Sequence, residues 1–297
     1  MNNILIFGGS GQVGTALRNQ LLRRDPDINI LAPSHEDMPI EDLGKLHAFC
    51  ETMKQGIAID LVFNLAAHQA VDQIEKSPQK AWAVNSDAVE VMAMHFGHRL
   101  IHFSTDYVFG GRPREFYSEA DEPCPINAYG YSKWEGEKAV LRHNGIVVRS
   151  SAIFGHGGNR EKGGNFIVRM LKLARESHYL SVVNDQTFCP TYAGDLAEEL
   201  VNFLSRENFL SHADEWEGQH IWHITNSGEA SWYDVAKEAV ESARIPGVEI
   251  NGRVSWEPGA PARRPTRSCL SSSMFSLVPW RSALLDYMNE AGLRERT

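Results

Sequence analysis

The sequence has few cysteines, and they are scattered. Its 297 residues include four, Cys50, Cys124, Cys189 and Cys269, and no two of them form a CxxC pair. Zinc sites and disulfide frameworks need clustered cysteines, so free thiols in a reducing compartment are expected. The HExxH pattern of metalloproteases is also missing, and no metal site is predicted.

Long apolar runs and an excess of positive charge are missing as well. No apolar run reaches the length of about 18 residues that suggests a transmembrane helix, and the first residues lack the basic segment of a secretory signal. We therefore expect a cytoplasmic protein without a membrane partner. The 29 basic and 38 acidic side chains give a net charge of −9, which disfavours nucleic acid as a partner. One small anionic ligand, met by local donors, is still compatible with this charge.

Short apolar strands alternate with segments of helical period through the first half of the chain. The pattern predicts strands and helices in alternation at residues 4–7, 11–24, 28–31, 43–55, 61–65, 81–96, 100–103, 128–142 and 146–148. Repeated strand–helix units predict an α/β fold with a doubly wound parallel sheet of the Rossmann type. Residues 1–150 would bind a dinucleotide, and residues 151–297 would mainly form a smaller substrate-binding cap.

The second half is less regular. Helices are predicted at residues 166–176, 192–204 and 232–243, strands at 180–183 and 220–225, and a loop at the proline- and glycine-rich residues 257–265. We expect the segment at about residues 180–225 to return to the first domain.

Three glycines directly follow the first predicted strand. Gly8, Gly11 and Gly14 give the pattern GxxGxxG at the turn into the first helix. Glycine in these places permits a tight turn, close approach of the backbone to a pyrophosphate, and close packing of helix on strand. The start of the helix adds unpaired N–H groups. This placement predicts a dinucleotide site.

The residue after the second strand often selects between NAD and NADP. An acidic side chain there would bind the ribose 2′-hydroxyl of NAD. Here the strand leads to Ser34 and His35, which can accept a 2′-phosphate, so NADPH is the predicted cofactor. Glu36 and Asp37 follow directly and keep NADH open.

A tyrosine and a lysine four residues apart follow the fourth strand. Tyr129 and Lys133 would share one face of a helix, and Thr105 ends the strand. An ammonium about 4 Å from a tyrosine, at an effective dielectric of about 20, would lower the tyrosine pKa by about three units. Such a tyrosine can protonate a carbonyl oxygen as hydride reaches the carbon. Tyr233 and Lys237 have the same spacing but follow no Ser-Thr strand end, so we predict a structural role for them.

Together these motifs resemble the extended short-chain dehydrogenase/reductases, and most closely the dTDP-4-dehydrorhamnose reductase family. The matching segments are spread over nearly the whole chain, at residues 8–14, 64–72, 81–85, 104–109, 129–137, 184–191 and 264–270. The longest are STDYVF and YGxSKxxGE. The resemblance implies NADPH- or NADH-dependent reduction of the 4-keto group of a dTDP-linked 6-deoxy-hexulose. A homodimer is one assembly that it allows.

The resemblance also implies roles for individual residues. The catalytic residues would be Thr105, Tyr129 and Lys133, and Lys133 would also hold the nicotinamide ribose. Besides the glycines, the cofactor would be lined by Gln12, Val13, Ala66, Ala67 and His68. The sugar nucleotide would contact Thr105, Asp106, Tyr107 and Val108.

Two positions near the expected sugar site depart from the family pattern. The family usually has RTSWVYG after the fifth strand, but this chain has Ala152 where the tryptophan stands. The pocket should therefore be wider or filled differently, and a tryptophan from the second half is one candidate to fill it. Arg267 replaces an asparagine and adds a cation beside Arg263 and Arg264. We expect it either to strengthen a diphosphate contact or to lie in solvent.

Two other functions stay open at this point. An epimerase or dehydratase of the same fold would retain tightly bound NAD, although a dehydratase usually has an acidic pair after the threonine, where this chain has Asp106 and Tyr107. A regulatory subunit similar to the β subunit of methionine adenosyltransferase would bind a partner without catalysis. The complete set of Thr105, Tyr129 and Lys133 disfavours that role.

Overall fold

A six-stranded parallel sheet forms the larger part of the molecule. The computed structural model describes residues 3–56, 58–112, 116–157, 164–255 and 261–294. The strands of the sheet are β1 Asn3–Phe7, β2 Asn29–Leu31, β3 Leu61–Asn64, β4 Leu100–Thr105, β5 Ile146–Ser150 and β10 Ile221–His223. Their spatial order is β2-β1-β3-β4-β5-β10, with every neighbouring pair parallel.

Helices cover both faces of this sheet. They are α1 Gln12–Arg24, α2 Leu43–Gly56, α3 Val71–Lys76, α4 Gln79–Trp82, α5 Ala88–Phe96, α6 Ala128–Arg142 and α8 Ala193–Arg206. Strand β1 shows why they are needed, since Ile4 and Ile6 pack with α1 and α8 while Leu5 and Phe7 face the α2 and α5 side. A strand that is apolar on both faces needs cover on both faces. The predicted doubly wound α/β fold is confirmed.

A smaller second part has its own hydrophobic core. It contains α7 Phe166–Ser177, β7 Tyr179–Val183, α10 Trp232–Ser242, β13 Glu249–Arg253 and α11 Trp280–Glu290. Strands β7 and β13 pair in parallel. The remaining short elements are β6 Ile153–Phe154, β8 Thr187–Phe188, β9 Thr191–Tyr192, α9 Phe209–His212, β11 Asn226–Ser227, β12 Ala230–Ser231 and β14 Leu277–Pro279.

The chain returns to the large sheet after entering the second part. Helix α8 packs on α1 in one core, and β10 extends the sheet beside β5, whereas β7 lies with the second part. The segment at about residues 180–225, which was predicted to return to the first domain, is therefore divided between the two parts. Residues 193–224 belong to the first core. No helix in the described part of the chain is both long and apolar enough to cross a bilayer.

The helix predicted at 81–96 is helical throughout, but it is not one uniform α-helix. The structure has α4, a π-helical turn at Ala83–Asp87, and then α5. Strand β13 and helices α3 and α11 had no counterpart in the sequence-based prediction. Of the predicted loop at 257–265, residues 257–260 lie outside the described residues, and residues 261–265 form neither helix nor strand.

The order of strands also fixes where a ligand can enter. Strand β1 has β2 on one side and β3 on the other. The order of strands therefore reverses direction at β1. In open parallel sheets the crevice at such a switch point, outside the carboxyl ends of the strands, is the usual ligand site. The turn after β1, the end of β4 and the start of α6 all lie at this edge.

Candidate active site

The connection between β1 and α1 requires glycine at Gly8 and at Gly14. Gly8 has a φ of 79°, and a Cβ on it would lie 2.7 Å from the backbone nitrogen of Ala66. A Cβ on Gly14 would lie 2.4 Å from the Gly8 carbonyl oxygen. Helix α1 begins after Gly11 without a side-chain cap, which leaves its first N–H groups to face the crevice.

A cavity of about 420 Å³ opens beside this turn. Residues from both halves of the chain line it: Gly8, Gly11, Gln12, Val13, Gly14, Leu65, Ala67, Gln69, Val71, Phe103, Ser104, Thr105, Asp106, Tyr107, Tyr129, Lys133, Ser150, Ala152, Ile153, Phe188 and Trp232. The structure therefore brings the predicted glycines and the predicted catalytic trio into one pocket.

Three buried polar atoms in the cavity wall indicate a polar ligand. Gln12 Oε1, Ser104 Oγ and Ser150 Oγ are buried and have no hydrogen-bond partner among the described residues. Buried polar atoms are nearly always hydrogen-bonded in native proteins, so each points to a partner from a bound molecule. With the glycine turn and the open start of α1, these residues fit a dinucleotide.

Tyr129 is placed by tight packing at the start of α6. Asn127 caps the helix by accepting a 2.8 Å hydrogen bond from the Gly130 N–H. A Cβ on Gly130 would lie 2.2 Å from the Tyr107 carbonyl oxygen, so the glycine lets the helix lie against the end of β4. Burial raises the pKa of Tyr129 to about 12, and a hydrogen bond with Thr105 opposes this rise. The phenol therefore keeps its proton at neutral pH.

Lys133 does not act on Tyr129 in the way the sequence predicts. Its Nζ donates to the Phe103 carbonyl oxygen at 2.6 Å and lies 3.0 Å from His102 Nε2. Burial lowers the pKa of Lys133 to about 7, opposed by the charge of Glu137. The amine is directed toward strand β4, so the expected lowering of the tyrosine pKa by a neighbouring ammonium is absent from this arrangement.

Asp106 ties three segments together under the pocket. Its carboxylate accepts hydrogen bonds from Ser268 Oγ, from Ser151 Oγ at 2.9 Å and from Thr105 Oγ1 at 3.2 Å. Burial raises the pKa of Asp106 to about 6, against the effect of these hydroxyls. The family resemblance implies a contact of Asp106 with the sugar nucleotide, and the structure adds a hydrogen bond from Ser268 in the C-terminal region.

The remaining predicted substrate residues are divided. Tyr107 lines the cavity, but Val108 packs in a separate small core with Phe109. Arg264 donates to Asp72 at 2.8 Å, and a hydrogen bond to Tyr107 places it close to the site. Arg267 pairs with Glu229 and does not line the cavity. Its predicted diphosphate contact stays a prediction.

The remaining predicted cofactor residues, Ser34, His35, Ala66 and His68, do not line the cavity. Ser34 and His35 follow β2 on an exposed loop, where Ser34 Oγ donates to Asp37 at 2.7 Å. Ala66 is next to the lining residue Ala67. The backbone of His68 exchanges two hydrogen bonds of 2.9 Å with the side chain of Asn85.

Two aromatic side chains from the second part form an apolar portion of the cavity wall. Phe188 and Trp232 line the cavity together with Ala152, and their ring centres are 4.4 Å apart. Trp232 Nε1 donates to Gln186 Oε1 at 3.3 Å, which fixes the indole. Sequence reasoning allowed for a tryptophan here but could not select one, because the position of α10 depends on pairing between distant segments.

A glycine turn at the switch point of a parallel sheet, with Thr105, Tyr129 and Lys133 in the same cavity, defines a Rossmann-fold oxidoreductase of the short-chain type. The comparisons with known proteins agree. Residues 1–292 match the family model described as RmlD substrate binding domain, and the chain belongs to this family.

Relatives within the family are similar over nearly their full length. The dTDP-4-dehydrorhamnose reductase of Shigella flexneri is 33% identical over 97% of each chain. The one from Sinorhizobium fredii is 36% identical over 90% of this chain and 88% of its own. The crystal structure of dTDP-4-dehydrorhamnose reductase from Bacillus anthracis in complex with NADP superposes with a TM-score of 0.84 at 29% identity, covering 98% of this chain and all of that one.

Proposed function

We propose that this protein uses NADPH to reduce the 4-keto group of a dTDP-linked 6-deoxy-hexulose. The observation that carries the proposal is one cavity that joins the glycine turn to Thr105, Tyr129 and Lys133. The relatives named above as dTDP-4-dehydrorhamnose reductases support the substrate class, and the NADP complex supports the cofactor. NADH is the second cofactor to test.

The side chains in the pocket suit the proton half of this reaction. NADPH supplies the hydride when it is bound. Tyr129 holds a phenolic proton at neutral pH and donates it to the carbonyl oxygen, which becomes the sugar hydroxyl. Thr105, within hydrogen-bonding distance of Tyr129, orients the same oxygen. The apolar side chains of Phe188 and Trp232 limit the access of water to their part of the cavity.

The proposal is tested by following NADPH absorbance with a panel of dTDP-, UDP- and GDP-linked 4-keto-6-deoxy sugars. We expect turnover with a dTDP sugar and a lower rate when NADH replaces NADPH. Tight NAD that survives purification, with no oxidation of added NADPH, would instead favour an epimerase. Binding of NADPH without turnover of any sugar would contradict the reductase.

Tyr129→Phe is the sharpest variant for this activity. Removing the hydroxyl removes the proton donor, so kcat should fall by about 10²- to 10⁴-fold. NADPH binding, measured by fluorescence, should change little. The matched control is Tyr233→Phe, because Tyr233 and Lys237 repeat the spacing outside the cavity. Equal losses in the two variants would contradict the assignment of Tyr129.

A cytoplasmic location and assembly as a homodimer are further parts of the proposal. The four free cysteines fit a reducing compartment, which supports the location. Light scattering coupled to gel filtration measures the assembly, and a mass equal to one chain of 33.3 kDa would contradict the dimer. Fractionation of the source cells measures the location.

A further inference from the structure

Three hydrogen-bonded polar side chains form a buried row that extends from Lys133 away from the cavity. Lys133, His102 and Asn64 are all nearly or fully buried. Lys133 Nζ lies 3.0 Å from His102 Nε2, and His102 Nδ1 lies 3.1 Å from Asn64 Nδ2. The other amide atom, Asn64 Oδ1, accepts from the Ala66 N–H at 3.2 Å. His102 and Asn64 stand on adjacent strands, β4 and β3, where apolar residues would be expected.

The donors and acceptors in this row of side chains allow one consistent arrangement of protons. The Ala66 N–H can only donate, so the oxygen of Asn64 faces it and the NH₂ group faces His102. His102 Nδ1 must then accept, and a neutral imidazole carries its single proton on Nε2. That N–H points at Lys133 Nζ. An ammonium has no lone pair to accept it, whereas a neutral amine does.

The second contact of Lys133 agrees with a neutral amine. Its Nζ donates one hydrogen bond to the Phe103 carbonyl oxygen. A neutral amine then still has one N–H and one lone pair. Reversing the pattern, with an ammonium donating to His102, would set the Nδ1 proton against the NH₂ of Asn64. Turning that amide would set its NH₂ against the Ala66 N–H. Either choice leaves two buried donors facing each other, which is unfavourable because neither finds an acceptor.

The charged groups around Lys133 do not force it to be charged. On its own helix Glu137 is one turn away, but its carboxylate is held by Arg149 of β5 at 2.7 and 2.9 Å. Tyr129, on the same helix, keeps its proton, as its raised pKa shows. Asp106 shares the cavity, and burial raises the pKa of its carboxyl group. Burial likewise lowers the pKa of both Lys133 and His102.

We propose that His102, oriented by Asn64, is a positioning residue that holds Lys133 as a neutral amine against strand β4, and that Lys133 takes up a proton when an anionic dinucleotide enters the cavity. The incoming pyrophosphate favours the ammonium by charge, and the added proton comes from solvent. Lys133 thereby becomes a cation only alongside the ligand. The proposal depends on dinucleotide binding but not on reduction of any sugar.

The first test reads the tautomer directly. In ¹⁵N-histidine-labelled wild-type protein, His102 should show a protonated Nε2 and an unprotonated Nδ1 throughout pH 6–9 before NADPH is added. A proton on Nδ1, or on both nitrogens, would overturn the proposal. This measurement needs no variant, so it holds even if a substitution at His102 prevents folding.

The second test measures NADPH affinity by fluorescence as a function of pH. Uptake of one proton requires Kd to rise by about tenfold per pH unit above a midpoint near the Lys133 pKa. His102→Phe removes the donor that stabilises the neutral amine, so this midpoint should move upward by about one pH unit. His102→Gln retains an N–H at the place of Nε2 and should stay near the wild-type midpoint.

The matched control is His223→Phe. His223 is a buried strand histidine like His102, but its partners are the Ser271 carbonyl oxygen, Arg149 and the Phe109 ring. It should keep the wild-type midpoint. The same midpoint in His102→Phe and wild type, or an affinity independent of pH, would refute the proposal. Failure of all these proteins to bind NADPH would refute proton uptake along with the proposed cofactor, and the ¹⁵N signals would still decide the tautomer.

Discussion

The pocket is completed by single side chains that the first half of the chain does not supply. Ala152 has a positive φ of 41° and contributes only a methyl group to the cavity. Phe188 and Trp232, whose rings pack on each other, belong to the same apolar cluster as Ala152 and add the aromatic surface. The loss of one aromatic wall from the family pattern is thus accompanied by another aromatic surface in the same cavity.

We therefore expect Trp232→Ala to weaken sugar-nucleotide binding. Removing the indole exposes the apolar side of the pocket, so KM should rise by about tenfold or more while kcat stays within about threefold. Steady-state kinetics with saturating NADPH measures both constants. Trp82→Ala is the control, because Trp82 is 36% exposed on α4 and lies outside the cavity lining. An unchanged KM in Trp232→Ala would remove Trp232 from the substrate wall.

Asp106 gives a prediction about pH and stability. Burial raises its folded-state pKa to about 6, above the ordinary value of 3.8. A raised pKa means that the folded protein binds the proton more tightly than the unfolded chain, so the stabilisation is complete below pH 3.8 and is lost as the pH rises through 6. Asp106→Asn does not titrate. Its free energy of unfolding, relative to wild type, should therefore increase between pH 4 and pH 7 by up to about 3 kcal/mol. Chemical denaturation at several pH values measures this difference, and a constant difference would contradict it.

At the scale of elements, helices and strands were largely predictable, but the π-helical turn was not. Residues 81–96 have an apolar pattern that predicts one continuous helix, and Asn85 is a buried polar exception within it. The turn at Ala83–Asp87 directs the Asn85 amide to the backbone of His68 and to Ser132 Oγ at 2.9 Å. Such turns are frequent at functional sites. This π-helical turn is explained by a tertiary contact, and the hydrophobic periodicity of the sequence carries no information about such contacts.

The difference between local sequence patterns and tertiary contacts also explains which site residues were predicted and which were missed. Gly8 follows β1 directly, Thr105 ends β4, and Tyr129 lies at the start of the helix that Asn127 caps, so local sequence places them. His102 and Asn64 also lie in strands, and a polar residue inside a buried strand was the available signal for them. Phe188 and Trp232 are far apart in sequence. The pairing of β8 with β12 brings them together at the cavity. Their place could not be derived from local patterns.

Helix α6 is joined to strand β5 by a fully buried ion pair. Both side chains, Arg149 and Glu137, are 1% exposed, and two hydrogen bonds connect them. Glu137→Gln leaves the guanidinium without its counter-charge in a buried place. The free energy of unfolding should fall by about 3 kcal/mol or more, measured by urea denaturation. Glu176→Gln breaks the exposed pair with Lys172 and should cost less than about 0.5 kcal/mol. Similar losses in the two variants would contradict this account.

For the whole molecule, the net charge of −9 says little about the ligand. A dinucleotide and a sugar nucleotide both carry pyrophosphates, and the pocket offers N–H groups at the start of α1, Lys133, and Arg264 close to Tyr107. Local donors can thus act against the charge of the whole surface. The sequence predicted the parallel sheet, but the short strand pairs of the second part join segments too far apart in sequence to be foreseen.

The packing of α1 against α8 makes ligand binding a property of the whole chain. Leu17 and Leu21 of α1 share one core with Leu196, Leu200 and Leu204 of α8. A dinucleotide held at the start of α1 thus stabilises a helix on which a segment from the second half is folded. By mass action, ligand at about a hundred times its Kd adds about 2.7 kcal/mol to the free energy of unfolding. The energy of holding the cofactor is then shared between both halves of the protein, so the halves should melt together, and at a higher temperature, once the cofactor is bound.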